Sequence, residues 1–487
     1  MAISFNLVPN GILTSGVFVE FDTSKAQQGP SIQEYVALVV GQRLSTGTKP
    51  AGQFDQITSA DQARQFYGAG SMLAVMMEKF ISENKINTVF AYALDDNGSG
   101  VKAAGQIDID VASLEAGTLS VVLAGRRYQA GVVASDTATD IALALQQAIQ
   151  ADADRQVDAA VNGGDDTILD ITYRHAGEVG NEIDMRTDDD IELPSGLTAT
   201  FTQLTGGTGN PSVTQLIADM GETQYHAIAF PYTSTTELNA METEMVDRWG
   251  PLRQNDGQLI TAKRDSVSNL TTFAQGRNNE QETVIDVLGP NGPHEYAANL
   301  TAIVAREGQN DPARPMQSVA MRFIQAPRDT ELRTRGERNQ LLGEGMSTVF
   351  AVAGSVNIER LRTTRKLNDF GAPDSSLADL NPKLTLSYVR YDFRVQIINK
   401  YSRSKLADDG TRFGPGQDVV TPKVIKAEII SMFRGWEELG LVEGIDQFKR
   451  DLIVQRNSQD PNRLDVEMPP DLINQLRVTA GKISFLL

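Results

Sequence analysis

The sequence predicts a multidomain α/β and α+β protein: a central parallel α/β layer, a C-terminal α+β unit, a β-rich inserted outer domain and extended strand arms at both ends. Three observations carry this. The chain has 487 residues, more than one ordinary domain holds. From about residue 211 onward, short apolar runs alternate with helical patterns, as in a parallel sheet covered by helices. Between them and the amino-terminal part, residues 96–210 show strand-like alternation and a sharp acidic excess. The expected divisions are an arm 1–22, a first core part 23–95, the acidic insertion 96–210, a central α/β domain 211–380, a C-terminal core domain 381–476 and a second arm 477–487.

In chain order, Ile3-Ser4-Phe5 and Val17 to Phe21 are strand-like pieces broken by Pro9, Asn10 and Gly11, which suits an extended arm. Tyr35 to Val40 is an apolar run ending at Gly41, the pattern of a buried strand. Ser59 starts one helix, and Ser71 to Phe80 forms another with Met72, Met76 and Phe80 at helical spacing. Val89 to Leu94 returns as a strand. The insertion reads as strands at Gln106 to Val111 and Leu119 to Leu123, a helix near Asp140 to Gln150, then further strands. Strands at Ala227 to Phe230, Leu259 to Ala262 and Val284 to Leu288 then alternate with helices near 237–248, 267–275 and 295–307. Leu384 to Tyr401 reads as strand or helix. Thr421, Pro422 and Gly440 bracket a strong helix as N-cap, first helical residue and C-terminal glycine. Arg477 to Leu487 alternates like a final strand.

Lys and Arg number 44 against 63 Asp and Glu, a net charge of −19, which argues against gripping nucleic acid or an anionic membrane. Asp136 to Glu192 carries fifteen acidic residues against Arg155, Arg174 and Arg186, an excess expected to face solvent. The basic-leaning stretch with Arg328, Arg333, Arg335 and Arg338 has no aromatic residue for base stacking. The N-terminus lacks the pattern of a secretory signal and no apolar run approaches a membrane span, so a soluble product is expected that stays in the compartment where it is made or leaves it by a route other than secretion.

With no cysteine, disulfides, thiolate nucleophiles and cysteine–metal sites are excluded. Gly41 to Lys49 has five residues between its glycines and a threonine before the lysine, so it does not make a phosphate-binding loop. Gly68-Ala69-Gly70 and Gly206-Gly207-Thr208-Gly209 read as turns. Asp165-Asp166 and Asp188-Asp189-Asp190 lack calcium-loop spacing and read as solvated acidic turns. No nucleophile elbow or His-Glu-x-x-His helix occurs. A hydrolase remains a rival only if His226 or His294 meets a serine and a carboxylate in a cleft.

Three stretches point elsewhere. SADQARQFYGAGSMLAVMMEKFISEN (59–84) is a helix, a Gly-rich turn and an amphipathic helix; YRHAGEVGNEIDMR (173–186) is strand, turn and strand; LINQLRVTAGKISFLL (472–487) is an alternating end. In this order and length the chain resembles the tail sheath proteins of Mu-like contractile-tailed bacteriophages. The resemblance implies that the central layer and C-terminal unit form the sheath core and that the protein is no enzyme, with no cofactor and no metal. It further implies stacked six-subunit rings around a tail tube, contact with the tail tube, baseplate and tail terminator proteins, and no nucleic acid or membrane insertion. The implied place is the virion tail, after assembly in the host cytoplasm; a related injection-system or bacteriocin sheath is the alternative.

In such proteins the terminal arms are expected to add strands to neighbouring subunits, the alternative being that the two termini pair within one subunit. Here the arm residues are Phe5, Val17, Phe18, Val19, Phe21, Val478, Ile483, Phe485 and Leu487. Along 422–439, Ile425, Ile429, Met432, Phe433, Trp436 and Leu439 share one helical face, with Lys423, Lys426, Ile430, Arg434 and Glu437 on an adjacent stripe. That basic stripe is a candidate tube-facing surface or an ordinary solvated face.

Overall fold

The computed structural model describes residues 33–485. These fall into two compact units, one of Gln33–Tyr388 with the stretch from Asn474 onward and one of Val389–Ile473. Phe5, Val17, Phe18, Val19, Phe21 and Leu487 lie outside the described residues.

The first unit opens with β1 (Val36–Gln42), β2 (Phe54–Gln56), α1 (Ala60–Tyr67), α2 (Met72–Glu83) and β3 (Thr88–Leu94). Ser59 and Ser71 cap the two helices as the sequence predicts: their hydroxyls accept the N–H of Gln62 and of Ala74, each at 3.2 Å. Between the helices Gly70 has φ +72°, and a Cβ there would lie 2.1 Å from the Arg155 carbonyl oxygen, so the turn needs glycine.

The insertion holds β4 (Lys102–Val111), β5 (Gly117–Leu123), β6 (Arg126–Val132), α3 (Ala138–Ala151), β7 (Val157–Val161), β8 (Ile168–Ala176), β9 (Met185–Thr187) and β10 (Leu197–Thr205). They make one sheet in the order β10-β4-β8-β7 and a second in the order β6-β5-β9. The chain then returns through α4 (Thr214–Met220), β11 (Ala227–Ala229), α5 (Thr235–Trp249), β12 (Gln258–Lys263), α6 (Val267–Gln275), β13 (Glu282–Asp286) and α7 (Pro293–Asn310). After α8 (Arg335–Gly343), a hairpin of β14 (Thr348–Val352) and β15 (Ser355–Arg360) follows.

The central sheet runs β13-β12-β11-β1-β3-β2, parallel throughout except for the β2 edge. Segments on either side of the insertion thus complete one sheet. Counted along the chain, its parallel strands stand in the order 2-1-3-4-5 from β3, a doubly wound arrangement whose direction reverses between β1 and β11. One apolar cluster runs from this layer into the insertion, including Leu38, Phe80, Ile303, Ile107 and Leu145.

The acidic stretch is less solvated than its composition predicts. Asp188 is buried, accepts from Ser120 Oγ at 2.7 Å and pairs with Arg127 at 2.6 Å, while Asp189 pairs with Arg328 at 2.6 Å. Arg126 holds Asp152 at 2.8 Å and Arg64 holds Asp154 at 3.0 Å. All these arginines lie outside Asp136 to Glu192, so counting charge within that window alone misses them. The Asp188-Asp189-Asp190 run is therefore an ion-pair junction and not a simple solvated turn.

The helix α9 (Leu380–Tyr401) resolves the strand-or-helix ambiguity, and the division between the units falls within it. The second unit continues with β16 (Lys405–Leu406), β17 (Val419–Val420), α10 (Pro422–Glu438), β18 (Val442–Glu443), α11 (Ile445–Asp451), β19 (Ile453–Arg456), β20 (Leu464–Glu467) and β21 (Asp471–Leu472). No helix among the described residues is long and apolar enough to cross a membrane.

Candidate functional site

In a doubly wound sheet, ligands bind beyond the carboxyl ends of the strands where the strand order reverses. Here the insertion fills that place. Gln42, at the end of β1, donates from Nε2 to Asp96 Oδ1 and to the Ala176 carbonyl, both at 2.7 Å. Beside them His175 is buried, and the N–H of Met72, at the start of α2, donates to its Nε2 at 3.0 Å. The ring proton therefore sits on Nδ1, which donates to Asp96 Oδ1 at 3.0 Å. Burial holds the His175 pKa below its ordinary value. Burial alone would raise the Asp96 carboxyl, but the bonds from His175, the Ala176 N–H and Gln42 together outweigh it and hold that group low. An Asp–His pair that resembles half of a catalytic triad is thus spent on capping a helix.

Neighbouring contacts fasten the insertion along the same edge. Glu182 accepts from Lys263 Nζ at 3.1 Å and from the Arg264 N–H at 2.7 Å, just past the end of β12. At the start of α7, buried Glu295 accepts from Gly292 N at 3.1 Å, Asn291 Nδ2 at 2.7 Å and Lys79 Nζ at 3.0 Å. Burial pushes its carboxyl up, and the Lys79 charge, His294 and the hydrogen bonds from Lys79 and Gly292 together more than reverse this. Next to it, His294 Nε2 lies 2.8 Å from Gln156 Oε1 in the insertion. His226, at the opposite end of the sheet, accepts the Val36 N–H at 3.0 Å, lies beside Gln33 and stacks on Tyr35 with centroids 4.4 Å apart. Burial pushes both rings down to about 4. Their partners are amides and backbone, so neither meets the serine and carboxylate that the hydrolase reading requires. His175, the histidine that does meet a carboxylate, was not singled out by sequence, because Asp96 lies far from it along the chain.

The assembly elements expected from the sequence divide between the two units. In the second, α10 buries Ile425, Ile429, Met432, Phe433 and Trp436 as predicted. Phe433 stacks on Phe448 with centroids 4.1 Å apart, and Trp436 Nε1 donates to buried Asp392 at 2.7 Å. The helix closes with Gly440 at φ +71°, its N–H bonded to the Glu437 carbonyl and that of Leu441 to Trp436. Leu439 keeps helical geometry, its N–H on the Gly435 carbonyl at 3.1 Å, but stands at the end of the helix and is exposed instead of joining the core face.

The basic stripe also shifts. Lys423 and Arg434 are exposed, whereas Lys426, Ile430 and Glu437 are half-buried, so the solvent-facing line runs Lys423, Ala427, Ser431, Arg434, Glu438. Lys426 Nζ donates to the Leu452 carbonyl at 2.6 Å, closing the end of α11. Its charge is engaged within the unit. The helix start is held by Asp409, which accepts the Lys423 N–H at 3.0 Å.

The expected final strand is not a strand among the described residues: 473–485 carry no ladder pairing, and Val478, Ile483 and Phe485 are exposed. Its ties among the described residues lie where it begins: the Ile473 N–H donates to the Leu441 carbonyl at 3.1 Å, Gln475 Nε2 donates to the Ala313 carbonyl at 3.0 Å, and Arg477 lies beside Asp379 at 4.0 Å. Alternation prepares two faces, yet a strand also needs a partner edge, and this chain supplies none to it among the described residues.

These features meet a known family. The phage tail sheath protein central domain is matched over residues 206–364 and the phage tail sheath C-terminal domain over residues 372–485. The chain is also 38% identical over 491 residues to the Mu-like prophage FluMu tail sheath protein of Haemophilus influenzae, with the whole of both chains covered. It belongs to the phage tail sheath protein family, a family of structural proteins, and is a tail sheath of a phage or contractile injection system. The fold is shared with the helical sheath of the anti-feeding prophage in its contracted state, at TM-score 0.50 and 12% identity over 97% of this chain and 99% of that one. A chain of the anti-feeding prophage baseplate gives TM-score 0.50 at 10% identity over 98% and 100%.

Proposed function

We propose that this chain polymerises as stacked six-subunit rings around a tail tube and contracts to drive the tube through a host envelope for genome delivery. Its arms, 1–22 and 477–487, add strands to neighbouring copies, while the core divisions expected from sequence act as semi-rigid bodies between them. The reading rests above all on residues 473–485, which leave the body with Val478, Ile483 and Phe485 exposed and without a pairing strand among the described residues. Such a segment gains most by lying in another copy's sheet, where main-chain bonds and apolar pockets are both supplied.

On this reading Lys423 and Arg434 of α10 face the tail tube, with Lys426 and Glu437 flanking them. Residues 389–473 hold thirteen Lys and Arg against fourteen Asp and Glu, near neutrality in a chain of −19, which favours this unit as the inner one. Baseplate and tail terminator proteins bound the polymer, no nucleic acid or membrane is contacted, and the protein resides in the virion tail after assembly in the host cytoplasm. Deleting residues 477–487 is the test. The truncated protein is expected to remain folded by circular dichroism and dispersed in negative-stain electron microscopy; long striated cylinders from it would refute strand donation by this arm.

A further inference from the structure

The parallel sheet has two ends, and they are treated differently. Its carboxyl end is covered by the insertion through Gln42, His175 and Glu182. At its amino end, three separate loops each push a large apolar side chain into solvent. Ile86, in the turn before β3, is 73% exposed; Leu252, in the loop before β12, is 96% exposed. Phe370, at 95%, tips a small loop whose Leu367 carbonyl accepts from Asn278 Nδ2 at 3.1 Å, in the turn before β13. Strand spacing puts the outermost of the three roughly 19 Å apart, counted as four steps from β13 to β3. Three such residues on one edge is more than scattered exposure of single apolar groups.

We propose that this edge is a contact face for a second copy of the same chain, separate from strand exchange by the arms; the inference rests on the sheath reading. Two observations favour a second copy over another partner. Both ends of the unit leave from this edge. The described chain begins at Gln33, where the Tyr35 N–H reaches Gln309 Oε1 at 2.7 Å near the end of α7, so the 32 preceding residues join here. The carboxyl segment departs beside Ala313, in the loop after α7. Arms that reach a neighbour from this edge bring the neighbour's surface to it. The arginines of the rim are also engaged within the unit: Arg253 pairs with Asp247 at 2.8 Å and Glu244 at 3.0 Å beside Leu252, and Arg365 pairs with Asp374 at 3.1 Å and Glu280 at 3.0 Å beside the Phe370 loop. Ion pairs closed within the rim leave the apolar side chains as the surface on offer, which suits contact with a like surface.

The test uses full-length protein carrying Leu252→Asp with Phe370→Asp, a second variant with serine at both positions, and a control, Val133→Asp, at an exposed apolar residue of the insertion. Circular dichroism and thermal unfolding should match wild type, since both changed side chains stand in solvent. The concentration needed for polymer, read by sedimentation and negative-stain electron microscopy, should rise at least tenfold for both double variants and stay unchanged for the control. Cylinders from the double variants at wild-type concentration overturn the face while leaving the sheath reading intact. Cylinders that form normally but no longer enclose tubes overturn it in favour of a tube contact. Wild-type protein that stays dispersed at every concentration removes the sheath reading, and this face with it.

Discussion

Acid should loosen the Gln33–Tyr388 unit before carboxylates are titrated, and His226 lets the effect be measured one proton at a time. In the unfolded chain this ring protonates near 6.5, whereas burial against Tyr35 pushes it down to about 4 in the fold. Between those values the unfolded state binds a proton that the folded state refuses, so stability is full above about pH 6.5 and falls as pH drops toward 4. At 1.36 kcal/mol per tenfold change in proton affinity, the loss is about 3 kcal/mol. His294 is pushed down to about 4 by the same cause and adds a comparable fall. Buried Glu282 and Asp286 have raised carboxyl pKa values and work in the opposite sense, which makes a difference measurement the right one. His226→Asn keeps an acceptor for the Val36 N–H but cannot protonate. Urea unfolding of dispersed protein from pH 8 to pH 4 should show wild type losing about 3 kcal/mol more than the variant over that range. Parallel stability curves for the two proteins would show that the ring is not held neutral by the fold.

Trp436→Phe should cost the Val389–Ile473 unit about 1–3 kcal/mol in urea unfolding, because Asp392 is buried and loses the indole N–H. Glu295→Gln should lower the stability of the first unit by about 3 kcal/mol, since Lys79 then lacks its buried counter-charge; an unchanged midpoint would deny that pair its role. Gly70→Ala should open the contact between the α1–α2 turn and the insertion, with a loss of at least about 2 kcal/mol and faster proteolytic cutting between 151 and 157, because φ +72° and the Arg155 carbonyl both oppose a methyl group.

Local signals were legible and partners were not. Ser59, Ser71 and Gly440 announced helix ends because capping is chemistry between residues a few positions apart. The helix 422–438 followed from a stripe of apolar residues at one spacing, and only Leu439 was misplaced, since spacing gives the face of a helix and not where along it the packing ends. That β1 and β3 join β11 to β13 in one sheet has no local signature; the pairing of Ala37 with Ala227, across 189 intervening positions, is decided by which apolar strands bury each other. The same reason hid the Asp96–His175 pair and the arginines that neutralise Asp152, Asp154, Asp188 and Asp189. Of the residues proposed for tube contact, Lys423 and Arg434 are exposed, while the Lys426 bond to the Leu452 carbonyl does not show in any helical projection.

The filled crevice gives the acidic insertion a second physical role. A doubly wound sheet leaves helix N-termini and strand ends open at the reversal point, with unpaired N–H groups that elsewhere hold ligands. Here His175 takes the Met72 N–H and Glu182 takes the Arg264 N–H, so the insertion satisfies these donors itself. A subunit whose insertion is bonded in this way transmits load between insertion and layer through buried polar contacts and a shared apolar cluster. Force applied to the insertion must therefore displace Glu295, His294 and Gln156 together before the two parts can separate, and isolated surface ion pairs would yield sooner.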